Sequence, residues 1–472
     1  MIKYFFILGL LCILHNILLY NNEMYISVIL FIIPLSIFLI TYLKHIKKIN
    51  NKKGLLLLIP ILLLSLNYLL YDDNIFTYLN IIIIPVLFTL MFIFTINPTY
   101  KIANLLNNIT YIFLKPFNYI KKMYNSILNK FNINKDLLSK IKSVLIIIPI
   151  IVIILLLLSS SDMIFKNIFN GMFKNIKSIN FLENIFGRIL SFLFIFTYIG
   201  STLLYLNNTD LKNNNINAKE KKFNIDSFTS NALLTLLNII YLVFDYIQIN
   251  SLILHRISMN IPYATYAREG FFQLMIVSII NISIILIIKQ SKNNYKNKKY
   301  KNTMCFIMVL LTTIIIISSF IRMNMYEQAY GYTTLRLLVY ASLITELVIL
   351  IPTILYIFDK KINLIKSYGI IILISYVVLN LIPMNYIIAK ENINRYYKIG
   401  KIDIDYLKNR NTDNTPLLIE LYKNEIKKKE KNEEITNLND YYFKIMYKTS
   451  KIKKIQEFNI SKYKANKKLK KV

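Results

Sequence analysis

Two stretches of the chain gather chemically capable side chains where apolar blocks begin or end. The first reads YATYAREGFFQ over residues 263–273, the second RMNMYEQAYGYTTLR over residues 322–336. They supply Arg268, Arg322 and Arg336, and the planar donor fork of arginine suits a carboxylate or a phosphate. On a helix Tyr266, Glu269 and Gln273 share one face, because they stand three and four residues apart. Two more carboxylates, Asp245 and Glu346, interrupt apolar runs, where a charge costs roughly 2.5–3.5 kcal/mol on insertion scales. Groups so placed face the interior of a helical bundle and either pair with a cation or hold a proton. The candidate ligand-contacting set is therefore Arg268, Glu269, Tyr266, Gln273, Arg322, Glu327, Tyr330 and Arg336. Asp245 and Glu346 join it as intramembrane charges, paired or proton-linked. A structural reading stands beside this one: tyrosines in the interfacial belt, arginines reaching for headgroups, and both carboxylates as ion-pair partners of those arginines.

Other chemistry is poorly represented, and no catalytic residue is assigned. His15, His45 and His255 are far apart and form no HExxH pattern. Nine scattered glycines build no phosphate-cradling loop. The Ser139/Lys142 spacing is a chance-level match in a lysine-rich stretch. Cys12 and Cys305 lie in separate apolar runs and suggest neither a disulfide nor a metal site. The pattern argues against an enzyme, a metal and a cofactor.

The elements that must position these residues are membrane helices. Hydrophobic residues make up 55% of 472 positions and mean hydropathy is +0.47. Apolar runs of about 18 residues or more recur, each long enough to cross a ~30 Å hydrocarbon core. The fold class is all-α: a polytopic transmembrane helical bundle of about eleven spans with a small helical extramembrane C-terminal tail. The spans fall at 4–20, 25–43, 54–71, 75–95, 141–160, 185–206, 231–253, 264–288, 303–321, 334–358 and 366–388. Met1–Tyr20 lacks a small-residue cleavage site and reads as the first span. The formal charge of +32 is discounted as a nucleic-acid signal. The lysines fall in loops, no binding motif accompanies them, and the Ile/Lys/Asn bias is compositional. Asn238, Asn281 and Asn380 read as interhelical hydrogen-bonding residues.

Lysine asymmetry sets an orientation. The loops after spans two, eight and ten are lysine-rich, whereas Asn21–Met24 and Tyr71–Asn74 carry no basic residue. This predicts a cell-membrane protein with a cytoplasmic N-terminus and an extracellular or periplasmic C-terminal tail. Four segments follow: an N-terminal four-span segment over 1–95, a cytoplasmic amphipathic connector over 96–140, a core bundle over 141–390 and a soluble basic tail over 391–472. In the tail, Thr415 as cap, Pro416 at the first helical position and Leu417, Leu418 and Leu421 predict a helix. From about Lys451 the chain reads as mobile and lysine-rich.

The two motifs are similar to those of a bacterial multi-pass membrane family catalogued as domain of unknown function number four-one-seven-three. The resemblance continues at NYIIAKENINR (385–395), KIDIDYL (401–407) and TPLLIEL (415–421). It implies residence in a bacterial envelope and no particular activity. The function expected is binding or transport of a small anionic or lipid-like ligand at an outward-facing cavity. The alternative is a membrane-anchored sensor, regulator or assembly partner acting through the tail. Expected partners are the lipid bilayer and other envelope proteins, not nucleic acid.

Overall fold

The computed structural model describes residues 2–96, 115–128, 179–208, 227–250, 271–290, 298–359, 362–408, 412–427, 433–436, 438 and 440–471. Its described residues are helical with irregular connections, as the apolar runs require, because in lipid a helix satisfies every backbone group within its own segment. The membrane helices are α1 (Ile2–Leu18), α2 (Ile26–His45), α3 (Leu58–Leu70), α4 (Asn74–Ile96), α5 (Ile179–Asn208), α6 (Ser227–Gln248), α7 (Phe271–Gln290), α8 (Lys298–Tyr330), α9 (Thr334–Phe358) and α10 (Leu364–Leu381). The tail contributes α11 (Met384–Ile399), α12 (Thr415–Ile426), α13 (Asp440–Ser450) and α14 (Ile460–Leu469). Nine of the membrane helices, one extended by the 3-10 turn Lys52–Leu57, are long and apolar enough to span, and Lys3–Leu18 is a shorter apolar helix. The chain is an all-α polytopic membrane protein. The predicted span 141–160 lies outside the described residues.

Residues 1–55, 89–99 and 105–214 form one compact unit. There α1 packs against α2 and α5. The Tyr42 hydroxyl donates to the Leu203 carbonyl at 2.6 Å, and Lys48 caps the end of α5 through the Leu206 and Asn207 carbonyls. The two Lys48 bonds answer orphan carbonyls of the kind that every helix C-terminus leaves. Arg188, near the start of α5, donates to the Asn16 carbonyl at 3.1 Å and lies over the Tyr20 ring.

The second unit comprises residues 56–88, 100–104 and 215–472. Its centre is α8, which packs against α6, α7 and α9, and α9 continues through α10 to α3. Leu234, Ile285, Met308, Val309, Ile316, Leu343 and Ile357 lie in its buried core. At 33 residues α8 is about 50 Å long, well beyond the ~30 Å a bilayer core needs. Two predicted boundaries change. The span predicted as 303–321 is this longer helix, and the one predicted as 366–388 stops at Leu381. Pro383 has no N–H to continue the ladder and disfavours helix at the residue before it, so α11 starts afresh at Met384.

The tail folds on a core of its own. Ile388, Leu407, Leu418, Leu421, Phe443 and Leu469 are among its buried residues. The helix expected from Thr415 is present, with its N-cap one residue earlier at Asn414. The segment beyond Lys451, read from sequence as mobile, instead contains α14. Asn459 accepts from the Lys462 N–H, and Ala465 and Leu469 are buried one turn apart. Ser461 and Lys462 are buried beside them, and these positions seat a helix that carries four lysines among its ten residues.

Gly331, between α8 and α9, has φ +82°. A Cβ there would collide with Asn392 Oδ1, the atom that accepts from the Tyr332 N–H. Gly369, inside α10, has nothing within 4 Å of its would-be Cβ. Gly331→Ala is therefore expected to lower thermal stability by more than ~1 kcal/mol, and Gly369→Ala to leave it unchanged or raised. Calorimetry of the two detergent-purified variants checks this, and equal effects would contradict the strain assigned to Gly331.

Candidate functional site

The predicted site residues do not all meet. Tyr266, Arg268 and Glu269 lie outside the described residues. Gln273 is on α7 with an exposed side chain. Arg322 is buried and donates to Gln248 Oε1 at 2.9 Å, joining α8 to α6. Glu327, Tyr330 and Arg336 gather at the α8–α9 corner. The Arg336 guanidinium stacks 4.3 Å from the Tyr326 ring and donates to the Gly331 carbonyl. Tyr330 packs tilted against the same Tyr326, at 5.0 Å between ring centres. Buried Glu327 receives hydrogen bonds from the Tyr332 and Tyr340 hydroxyls. Burial, then the Glu327 carboxylate, pushes the Tyr332 hydroxyl above its usual range.

Two residues at this corner went unselected in the sequence. Arg395 on α11 donates to the Gln328, Ala329 and Lys401 carbonyls at 3.2, 2.6 and 3.4 Å. Burial and the nearby Arg336 pull its guanidinium below the ordinary arginine value. Asn392 bridges both backbone groups of Tyr332. With Arg336 and Arg395 both donating to backbone carbonyls, the corner works as a clamp between α8, α9 and α11. Only the tail motif containing Arg395 hinted at it.

Asp245 and Glu346 are both buried, on α6 and α9. Neither has an ion-pair partner among the described residues, so the pairing with arginine weighed from sequence is not formed there. Glu346 is met by the Ser278 hydroxyl of α7. The intramembrane amides do join helices: Asn238 donates to the Met304 carbonyl at 3.0 Å, and Asn281 accepts from the Tyr241 hydroxyl at 2.8 Å. Asn80 donates to Asn380 Oδ1 and accepts from the Tyr376 hydroxyl, each at 2.7 Å.

A cavity of about 890 Å³ lies where these helices end and the tail begins. Leu70, Tyr71, Pro383, Ile419 and Ile460 supply much of its apolar wall. Lys423 and Lys427, one turn apart on and just after α12, Lys464, Lys467 and Lys468 on α14, and Lys471 just after it supply the cationic rim. Only Asp413 and Glu420 oppose them. On a helix, positions 464, 467, 468 and 471 follow the i, i+3, i+4, i+7 pattern, so these lysines form one stripe.

The floor is built by polar bonds across long stretches of chain. Asp413 accepts from the Asp72 N–H at 3.0 Å, from Asn385 Nδ2 at 3.0 Å and from Ser461. Asp72 accepts from the N–H and hydroxyl of Thr412 at 3.1 and 2.9 Å. Asn459 donates to the Tyr68 and Tyr71 carbonyls at 3.0 and 2.9 Å, ending α3. The Tyr71 hydroxyl donates to the Leu381 carbonyl at 2.7 Å, ending α10.

Apolar spans meeting a folded polar tail define an integral membrane protein with a cavity at the span ends. Residues 58–421 match the family described as Domain of unknown function (DUF4153), and the chain belongs to that family. The match corrects the resemblance to number four-one-seven-three, since both quoted motifs and all three tail motifs fall inside 58–421. No curated protein and no solved structure matches the chain.

Burial raises Asp413 from the ordinary 3.8 to about 6; its three hydrogen bonds oppose the shift and the Asp72 charge adds to it. The native state therefore holds this proton more tightly than the unfolded chain does. The stability so gained is complete below about pH 4 and lost as pH rises through about 6. The tail's unfolding temperature is expected to fall across that window, and Asp413→Asn to flatten the fall. Circular dichroism melts of both proteins at several pH values check this, and parallel curves would refute it.

Proposed function

We propose that the protein binds a small anionic amphiphile, one carrying a phosphate or carboxylate headgroup on an apolar chain, in the cavity between its span ends and its tail. One observation carries the reading: a cavity of about 890 Å³ with an apolar wall is rimmed by six lysines against two carboxylates. That volume lies within the ~300–1,000 Å³ typical of ligand sites. Leu70 and Pro383 border the ends of α3 and α10, so headgroup depth is where the rim falls. Lysine presents compact, hydrated point charges on flexible stems, suited to a headgroup of variable shape. The lysine-poor loop Tyr71–Asn74 meets the tail, and the lysine asymmetry among loops then supports an outward-facing mouth with the N-terminus cytoplasmic.

Near a membrane surface each lysine contributes about 1 kcal/mol toward an anionic lipid. Lys464→Gln combined with Lys467→Gln is therefore expected to weaken binding of short-chain phosphatidic acid about 30-fold. Calorimetric titration of the purified protein, with phosphatidylcholine of equal chain length and inorganic phosphate as parallel arms, makes the measurement. The expected order is phosphatidic acid first, with both other arms much weaker. Phosphate binding as tightly as the lipid would reduce the site to a free-anion site. Phosphatidylcholine binding equally well, or lysine variants without effect, would overturn the reading.

A further inference from the structure

Glu346 lies near the middle of α9 and is 5% exposed. Its one hydrogen-bond partner among the described residues is the Ser278 hydroxyl on α7, which reaches Oε2. The same hydroxyl stands 2.7 Å from the Met275 carbonyl. A serine hydroxyl owns a single hydrogen, so with an ionised Glu346 one hydrogen would have to serve two acceptors.

The polar groups nearest along α7 and α9 bond elsewhere. Asn281, one turn along α7, directs its amide nitrogen to Thr312 Oγ1 at 3.1 Å, giving one of its two hydrogens there, and Thr312 donates to the Met308 carbonyl at 2.7 Å. The Tyr241 hydroxyl donates to Asn281. Ser342, one turn before Glu346, lies 2.8 Å from the Val339 carbonyl and 3.1 Å from Met275 Sδ. A buried carboxylate needs several donors or a cation to offset its lost hydration, and here it would have half of one hydroxyl.

A proton on the carboxyl resolves the count. The acid O–H then donates to Ser278 Oγ, and the Ser278 hydrogen goes to the Met275 carbonyl. From this arrangement we infer that Glu346 is a proton-binding site inside the bundle, holding its proton against Ser278 between α7 and α9. The site is separate from the lysine-rimmed cavity and does not depend on a ligand binding there.

Infrared spectroscopy reads the two states directly, because a carboxylic acid and a carboxylate absorb at well-separated frequencies. The wild-type minus Glu346→Gln difference spectrum at neutral pH is expected to show an acid carbonyl band. Glutamine can donate to Ser278 as the acid does, so this variant should accumulate and melt like the wild type. Ser278→Ala keeps the carboxyl, removes its acceptor and is expected to shift the same band. A carboxylate signature in the difference spectrum, or an acid band unmoved by Ser278→Ala, overturns the assignment. Should neither variant accumulate, a hydrophobic carbodiimide, which adds to protonated carboxyls, is applied to the wild type. An adduct on the Glu346 peptide supports the site and its absence overturns it.

Discussion

The hydrogen bonds converging on Asp413 hold the extramembrane part in place. One carboxylate receives the Asp72 N–H from the α3–α4 connection, the Asn385 amide from the first turn of α11 and a bond from Ser461 in the first turn of α14. Those donors stand 341, 28 and 48 residues away in the chain. Without that convergence, Leu70 and Pro383 would have no Ile419 and Ile460 opposite them, and the cavity would have no floor. The clamp carries a cost, since it buries an acid whose charged form is disfavoured there. The compensation is geometric: its oxygens accept from three donors, and the carbonyls ending α3 and α10 are answered by Asn459 and Tyr71 alongside it.

The membrane part was legible in the sequence for a physical reason. A helix in hydrocarbon must be apolar along about 20 residues, and that demand writes itself locally, without reference to neighbours. The predicted runs recur as helices wherever residues are described, including 334–358, which agrees with α9 end to end. The failures fall where the constraint changes. The run predicted over 366–388 stays apolar past the bilayer, so hydropathy runs on, while Pro383 stops the helix on backbone grounds. In α8 the polar turn 322–330 continues the helix beyond the apolar stretch, held by clamp contacts from α9 and α11 that no local pattern encodes.

The site was legible only in part. Arginine and glutamate at the α8–α9 corner stand out in any apolar sequence, and they do cluster there. Their donors turn inward to carbonyls, however: Arg336 to Gly331, and Arg395 to Gln328 and Ala329. Whether a charged residue meets a ligand or a helix end depends on what arrives opposite it from elsewhere in the chain. Asp413 and Asp72 show the reverse case. Each is an unremarked acidic residue in a polar loop, and their proximity appears only when segments some 340 residues apart are brought together.

Lysine is abundant throughout this chain, so the position of a lysine cluster is more informative than its size. Lys464, Lys467 and Lys468 of α14 and Lys471 just beyond it line the same cavity as Lys423 and Lys427 from the α12 side. Like charges gathered this way repel one another, and a fold neutral to their placement would not concentrate six of them around an apolar wall. Lys468 is partly compensated by Glu420 at 3.6 Å, an exposed pair of small energetic weight. Under the proposed function an anion would offset the remaining repulsion, and the apolar wall would stabilise a chain attached to that anion. The two features together, rather than either alone, make an amphiphile the occupant that the cavity's chemistry fits.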